Sequence, residues 1–228
     1  MTPKRLFVFW FGPSMSPFRR KALWVLKRKA KIPIHLVHET NLRNWIREGH
    51  PLHPAFRNLS ATHKSDYLRV YFMLNHGGGY ADLKPITFDW RPYFDLLDDT
   101  NYQFLGYPEI DPGSVAGGPE IERNWQSLVG AGYYIFRPNG TFAALWMNRI
   151  HEVLDEKERD LQDNPGGYHP RAVRGGVFQP SNRRERGLRS KYPLNWTEIN
   201  GSIFHPLQVE QLGEFSQNLP RVRWKRYR

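Results

Sequence analysis

Asp66, Arg69 and Asp82 are the residues of this chain whose types and spacing best suit chemistry. Asp66 and Arg69 stand three positions apart, so a helix would put them side by side on one face. Their flanks, Tyr67, Leu68 and Val70 to Leu74, are apolar on every side, which predicts a buried helix. A carboxylate and a guanidinium inside such a helix must pair with each other or with a bound group. An intrahelical ion pair would account for them by structure alone. The segment downstream argues for more: Gly77, Gly78 and Gly79 close the helix, and Tyr80-Ala81 leads to Asp82, sixteen positions after Asp66. Glycines allow positive φ and let a ligand approach the backbone closely.

The elements that must position these residues can be read from periodicity. Leu6 to Phe11 is a continuous apolar run closed by Gly12-Pro13 and predicts a buried strand. A basic segment from Phe18 to Lys31, with Ala22, Leu23, Val25 and Leu26 as its apolar side, predicts a helix. Ile34 to Val37 alternates like a second strand, and strand, helix, strand at this spacing predicts a parallel βαβ unit. A helix from Ala61 to Asn75 follows, then a short strand from Tyr80 to Leu83. Further strands are expected at Tyr102 to Leu105 and Val129 to Phe136. Helical spacing of Phe142, Leu145, Trp146, Ile150, Val153 and Leu154 predicts a helix from Thr141 to Glu158. Residues 160–200, rich in Gly, Pro, Asn and Arg, read as a long loop. The pattern is that of an α/β protein in one domain spanning 1–228.

Bulk properties narrow the function classes. At 228 residues with 14% aromatics, the composition is globular and large enough for a real core. The longest apolar run, six residues, is far short of the roughly 20 that a membrane span needs. No apolar run long enough for a signal-peptide core follows the basic N-terminus, so a signal peptide is not expected and the expected location is the cytoplasm. The absence of cysteine excludes disulfides and thiolate metal sites. A net charge of +11 comes from clusters such as Arg19-Arg20-Lys21 and Lys27-Arg28-Lys29. Such a surface attracts polyanions, anionic substrates or the inner face of a membrane, or simply keeps the protein soluble. No groove-reading motif or stacking sheet signature accompanies the charge, so nucleic acid is not an expected partner.

Ser65-Asp66-Tyr67-Leu68-Arg69 followed by Gly78-Gly79-Tyr80-Ala81-Asp82 resembles the sugar-binding region of glycosyltransferases with the GT-A fold. The pattern is similar to capsular-polysaccharide and mannosyltransferase-like families and to the catalytic domains of glucosylating toxins. Pro3 to Gly12, with Trp10, resembles the opening strand of the same families, and Ala131 to Pro138 is a weaker echo. The resemblance implies a mixed, mostly parallel sheet flanked by helices, and transfer of a sugar from a nucleoside-diphosphate sugar, a UDP-sugar favoured, to a glycan or other hydroxyl. It implies that Trp10, Phe11 and Gly12 lie near the nucleotide base, although core packing explains Trp10 equally well. It further implies that Asp66 and Arg69 hold the donor sugar, that Gly78, Gly79 and Tyr80 line the nucleotide pocket, and that Asp82 contacts the ribose and the ligand shell of a divalent cation, Mn²⁺ or Mg²⁺.

One departure bears on the chemistry. The family has a second aspartate where this chain has Lys84, and an ammonium has no lone pair with which to ligate a metal. Lys84 would then meet the diphosphate itself through charge-assisted hydrogen bonds, or Asp82 would bind the metal with help from Asp89 or His205, or activity has been lost. Weak or absent metal dependence is the favoured expectation. Stabilising the leaving diphosphate is the main catalytic service. Arg171, Arg174, Arg183 and Arg184 are candidate lid cations for it. If transfer inverts the anomeric centre, Glu109 or Asp111 is the expected base. Trp196 and His205 stand out on the expected acceptor side. A glycan-binding protein without turnover and a polyanion-binding protein remain the alternatives.

Overall fold

The computed structural model describes residues 1–167 and 191–221. The N-terminal apolar run forms β1 (Leu6–Phe9), with all four residues buried. Leu6 and Val8 point to one side of the sheet, Phe7 and Phe9 to the other. Helix α1 (Pro17–Lys29) starts where the Ser16 hydroxyl accepts the Arg19 N–H and Pro17 takes the first helical position. Strand β2 (Ile34–Val37) then pairs parallel to β1 and completes the expected βαβ unit.

Two short 3-10 turns lead to α2 (Ala61–His76), the buried helix that carries Asp66 and Arg69. Ser60 caps its start, and Gly77 at φ 60° ends it by returning its N–H to the carbonyls of Phe72 and Met73. A side chain at Gly77 would also strike Pro138, 2.6 Å away. The chain continues through β3 (Gly78–Ala81), α3 (Arg91–Asp98), β4 (Phe104–Pro108), α4 (Pro119–Glu122) and β5 (Val129–Phe136). Helices α5 (Thr141–Glu156) and α6 (Glu158–Asp163) precede the undescribed stretch, and α7 (Gly201–Glu210) and β6 (Phe215–Ser216) follow it.

The strands form one six-stranded sheet in the order β2-β1-β3-β5-β4-β6. β5 runs antiparallel to both its neighbours, and the other pairs are parallel. The expectation of a mixed, mostly parallel α/β sheet therefore holds. Helices α2, α5 and α7 cover the face of Phe7, Phe9, Tyr80, Tyr134 and Phe136; α1 and α3 cover the face of Leu6, Val8, Leu105, Tyr133 and Ile135. Aromatic stacking knits the first face: Phe104 lies on Phe136 at 4.3 Å, and Trp146 on Phe204 at 4.3 Å.

Several boundaries differ from the sequence reading. The third strand begins at Gly78, not Tyr80, because Gly78 and Gly79 already pair with Phe136 and Ile135. The next starts at Phe104 rather than Tyr102 and runs on to Pro108. The expected loop over 160–200 opens with helix, since α6 extends to Asp163. Helices α3 and α7 and strand β6 were not expected. α7 contains Pro206 and buries residues around its circumference, so it lacks both the propensity and the single apolar stripe that betray a helix in sequence. Among the described residues, no helix is long and apolar enough to cross a membrane.

From β1 the chain moves to β2 on one side and, through α2, to β3 on the other. The strand order thus reverses at β1 and β3. In sheets of this kind the crevice outside the carboxyl ends of such strands is the usual ligand position.

Candidate active site at the sheet reversal

Asp82 is the first residue past β3, and its backbone N–H bonds the Gly132 carbonyl of β5 at 2.8 Å. Its side chain gathers the other polar residues. The Tyr80 hydroxyl donates to its Oδ1 at 2.5 Å, and Lys84 Nζ lies 2.9 Å from its Oδ2. Arg69 reaches in from α2, with Nη2 2.8 Å from Asp66 Oδ1 and 3.7 Å from Asp82 Oδ1. Its Nη1 donates to the Ala131 carbonyl at 2.7 Å, and its guanidinium lies 4.4 Å over the Tyr80 ring. Asn200 completes the inner end by donating to Asp66 Oδ1 at 3.0 Å. Asp66, Arg69, Tyr80, Asp82 and Lys84 therefore form one connected network.

Burial grades along it. The side chains of Asp66 and Arg69 are 3% and 7% exposed, whereas that of Asp82 is 26% exposed. Desolvation pushes the Asp66 carboxyl up to about 6, and Arg69 and the Asn200 amide only partly offset it. Asp82 goes the other way. Burial would raise it, but Lys84, Arg69 and the Tyr80 hydroxyl outweigh that and hold it below the ordinary carboxylate range. Burial also works against the Arg69 charge, yet the phenols of Tyr80 and Tyr134 and the two carboxylates keep it firmly protonated. The outer carboxylate is thus ionised at neutral pH, and the inner one titrates close to it.

Two buried polar atoms at the inner end, Arg69 Nε and Asn200 Oδ1, find no hydrogen-bond partner among the described residues. One is a donor and the other an acceptor. A hydroxyl group supplies both functions at once.

Three contributors were not legible as site residues. Arg19 donates to the Leu83 carbonyl at 2.6 Å, and burial lowers its pKa against the partly offsetting pull of the Asp82 carboxylate. It shares the inward stripe of α1 with Ala22, Leu23 and Leu26, a spacing that could have separated it from its exposed basic neighbours. Asn200 is 134 positions from Asp66, and no local pattern links them. Gly132 is the third: a Cβ there would lie 3.5 Å from Lys84 Nζ and 3.7 Å from Asp82 Oδ2, so its lack of one leaves room in front of both. Next to it, Tyr107 lies across Gly130, which has no space for a side chain, and accepts the Gly132 N–H at 3.2 Å.

Other expected residues lie elsewhere. Gly78 and Gly79 do not open space for a ligand. A Cβ at Gly78 would meet the Arg5 carbonyl at 2.9 Å and one at Gly79 would meet Leu6 at 2.6 Å, so both serve the close seating of β3 beside β1. Phe11 is buried and packs edge-on to Phe56. Trp10 is half-buried, with its indole N–H bonded to the Pro13 carbonyl at 2.6 Å, and Gly12 lies against its ring.

Glu109 and His205 are 3% and 2% exposed and face each other at 3.4 Å. His205 Nδ1 accepts the Ala116 N–H at 2.9 Å, so its proton sits on Nε2, toward Glu109. Neither is open to an acceptor in this arrangement. Asp111 is exposed and accepts from Ser114, and Trp196 is half exposed. Asp89 is not a neighbour of Asp82: it grips Arg91 at 2.7 Å and lines a shallow hollow with Lys4, at the end of the sheet where β1 begins. Arg171, Arg174, Arg183 and Arg184 lie outside the described residues.

In this arrangement each Asp82 oxygen accepts from a side chain, Asp66 Oδ1 is held by Arg69 and Asn200, and no group of three His, Cys, Asp or Glu residues among those described is placed to hold a metal ion. The ammonium of Lys84 takes the position on the carboxylate that a cation would need. No family model matches the chain, and no curated protein or solved structure is significantly similar to it.

Proposed function

We propose that the protein is a GT-A glycosyltransferase that moves a sugar from a nucleoside-diphosphate sugar, a UDP-sugar favoured, to a hydroxyl of a glycan or similar acceptor. The observation that carries this reading is the Asp66–Arg69–Asp82–Lys84 network at the carboxyl ends of the strands where the sheet order reverses. The single antiparallel strand within an otherwise parallel sheet is compatible with that fold.

The chemistry follows from the charges. As the anomeric carbon–oxygen bond breaks, its electron pair leaves with the diphosphate, and the acceptor oxygen forms the new bond while releasing its proton. Negative charge grows on the leaving group, so fixed cations there lower the barrier. Arg19, Arg69 and Lys84 face the two carboxylates Asp66 and Asp82, an excess of one positive charge when all are ionised. Lys84 and Arg19 are the outer pair and would meet the phosphates. The inner end, with Asp66, Asn200 Oδ1 and Arg69 Nε, suits the hydroxyls of the sugar. In this reading lysine supplies the charge that a metal supplies elsewhere.

Thermal unfolding with UDP, GDP and their sugar conjugates, in Mn²⁺ and in EDTA, tests it. A nucleotide at ~100 times its dissociation constant stabilises by about 2.7 kcal/mol. Stabilisation by one nucleotide family that persists in EDTA is expected, together with release of nucleoside diphosphate from the matching sugar conjugate. No shift with any nucleotide would overturn the assignment. A shift without turnover would favour a binding protein on the same fold.

A further inference from the structure

The outer face of α1 sets an exposed indole among cations. Trp24 is 57% exposed, and its four helical neighbours at three and four positions either side are Arg20, Lys21, Lys27 and Arg28. The Arg28 guanidinium lies 4.9 Å over the indole. Pro17–Lys29 contains no acidic residue, while its opposite side is seated on the sheet by Ala22 and Leu26. Cations near its start oppose the helix dipole, so helix stability does not explain them.

We propose that this face docks the protein on an anionic lipid surface. Headgroup phosphates complement the ring of four cations, and an indole, apolar in its body and polar at one edge, suits the boundary between headgroups and acyl chains. The arrangement is that of an interfacial helix held on a rigid scaffold. The same helix turns Arg19 inward to the Leu83 carbonyl, so docking would hold the network at the sheet reversal at a set angle to the surface. The proposal stands whether or not that network binds a nucleotide sugar.

Sedimentation of the full chain with phosphatidylcholine vesicles, with and without 30 mol% phosphatidylglycerol, tests it. Binding only to the anionic vesicles, and its loss in high salt, is expected. Each cation near such a surface contributes about fivefold to partitioning. Lys21→Gln with Lys27→Gln should therefore weaken it by about 25-fold, with unchanged thermal unfolding because both sites are exposed and glutamine is a good helix former. Trp24→Ala should weaken it by about tenfold, whereas Trp24→Phe retains most of it. Failure to bind anionic vesicles would overturn the proposal. So would binding that these variants leave unchanged, or release from vesicles by a duplex oligonucleotide at lower concentration than by anionic lipid.

Discussion

Asp66 and Asp82 show how two carboxylates on one network acquire different properties. Asp66 is sealed on the buried side of α2 and titrates near 6; Asp82 lies where Lys84, Arg69 and Tyr80 converge and stays ionised. Asp82→Ala should abolish donor turnover while circular dichroism and cooperative unfolding persist; normal turnover in the folded variant would sink the site assignment. Lys84→Asp should create a dependence on Mn²⁺, measured as turnover with and without EDTA, because it replaces the fixed charge with a second ligand.

The inner carboxylate also has a stability signature. Folded Asp66 binds its proton at about 6 and an unfolded aspartate near 3.8, so the folded state holds more protons between these values and stability falls as pH rises through them. His63 opposes it. Its Nε2–H donates to the Asn195 carbonyl and its Nδ1 accepts the Tyr192 hydroxyl, and burial lowers its pKa from 6.5 to about 4. Here the unfolded state holds more protons in the window, and stability rises with pH. The two slopes offset each other between pH 4 and 6. Asp66→Asn should therefore make acid unfolding steeper than in the parent, by on the order of 3 kcal/mol across that window. Denaturant titrations at pH 4, 5 and 6 would read it, and an unchanged slope would contradict the raised carboxyl.

Individual elements are held to the site by a few polar clamps. The His63–Tyr192–Asn195 contacts pin the 192–200 segment across the start of α2, and that segment delivers Asn200 to Asp66. His63→Ala should weaken donor binding through the loss of Asn200, and Asn200→Ala alone should reproduce most of that loss. Calorimetric titration of both variants checks the link. On the far side, the buried Gln208 amide exchanges both hydrogen bonds with the backbone of Val129, beside the register shift between β4 and β5. A side-chain amide there substitutes for a missing strand partner. Gly77→Ala should cost about 1–3 kcal/mol, since its positive φ and its contact with Pro138 both exclude a Cβ.

For the molecule as a whole, Arg19 links the network at the sheet reversal to the cationic helix α1. A net charge of +11 would draw an anionic donor toward the protein. Donor association rates should accordingly fall as salt rises from 50 to 500 mM, more steeply than dissociation rates rise; stopped-flow binding separates the two.

Chain order alone determined much of this protein. The apolar run of β1, the βαβ unit, the buried α2 with its ion pair three residues apart, and the glycine stop before Asp82 are all local patterns, set by side-chain periodicity and backbone sterics. Tertiary structure decided the rest. Asn200 meets Asp66 because the segment before α7 folds back across α2, and no short-range signal encodes that return. Gly78 and Gly79 proved to seat a strand, because whether a missing Cβ admits a ligand or a neighbour depends on what packs there. Glu109 and His205 turned into a buried pair for the same reason: residue type fixes what a group can do chemically, but only packing decides whether water and substrate can reach it.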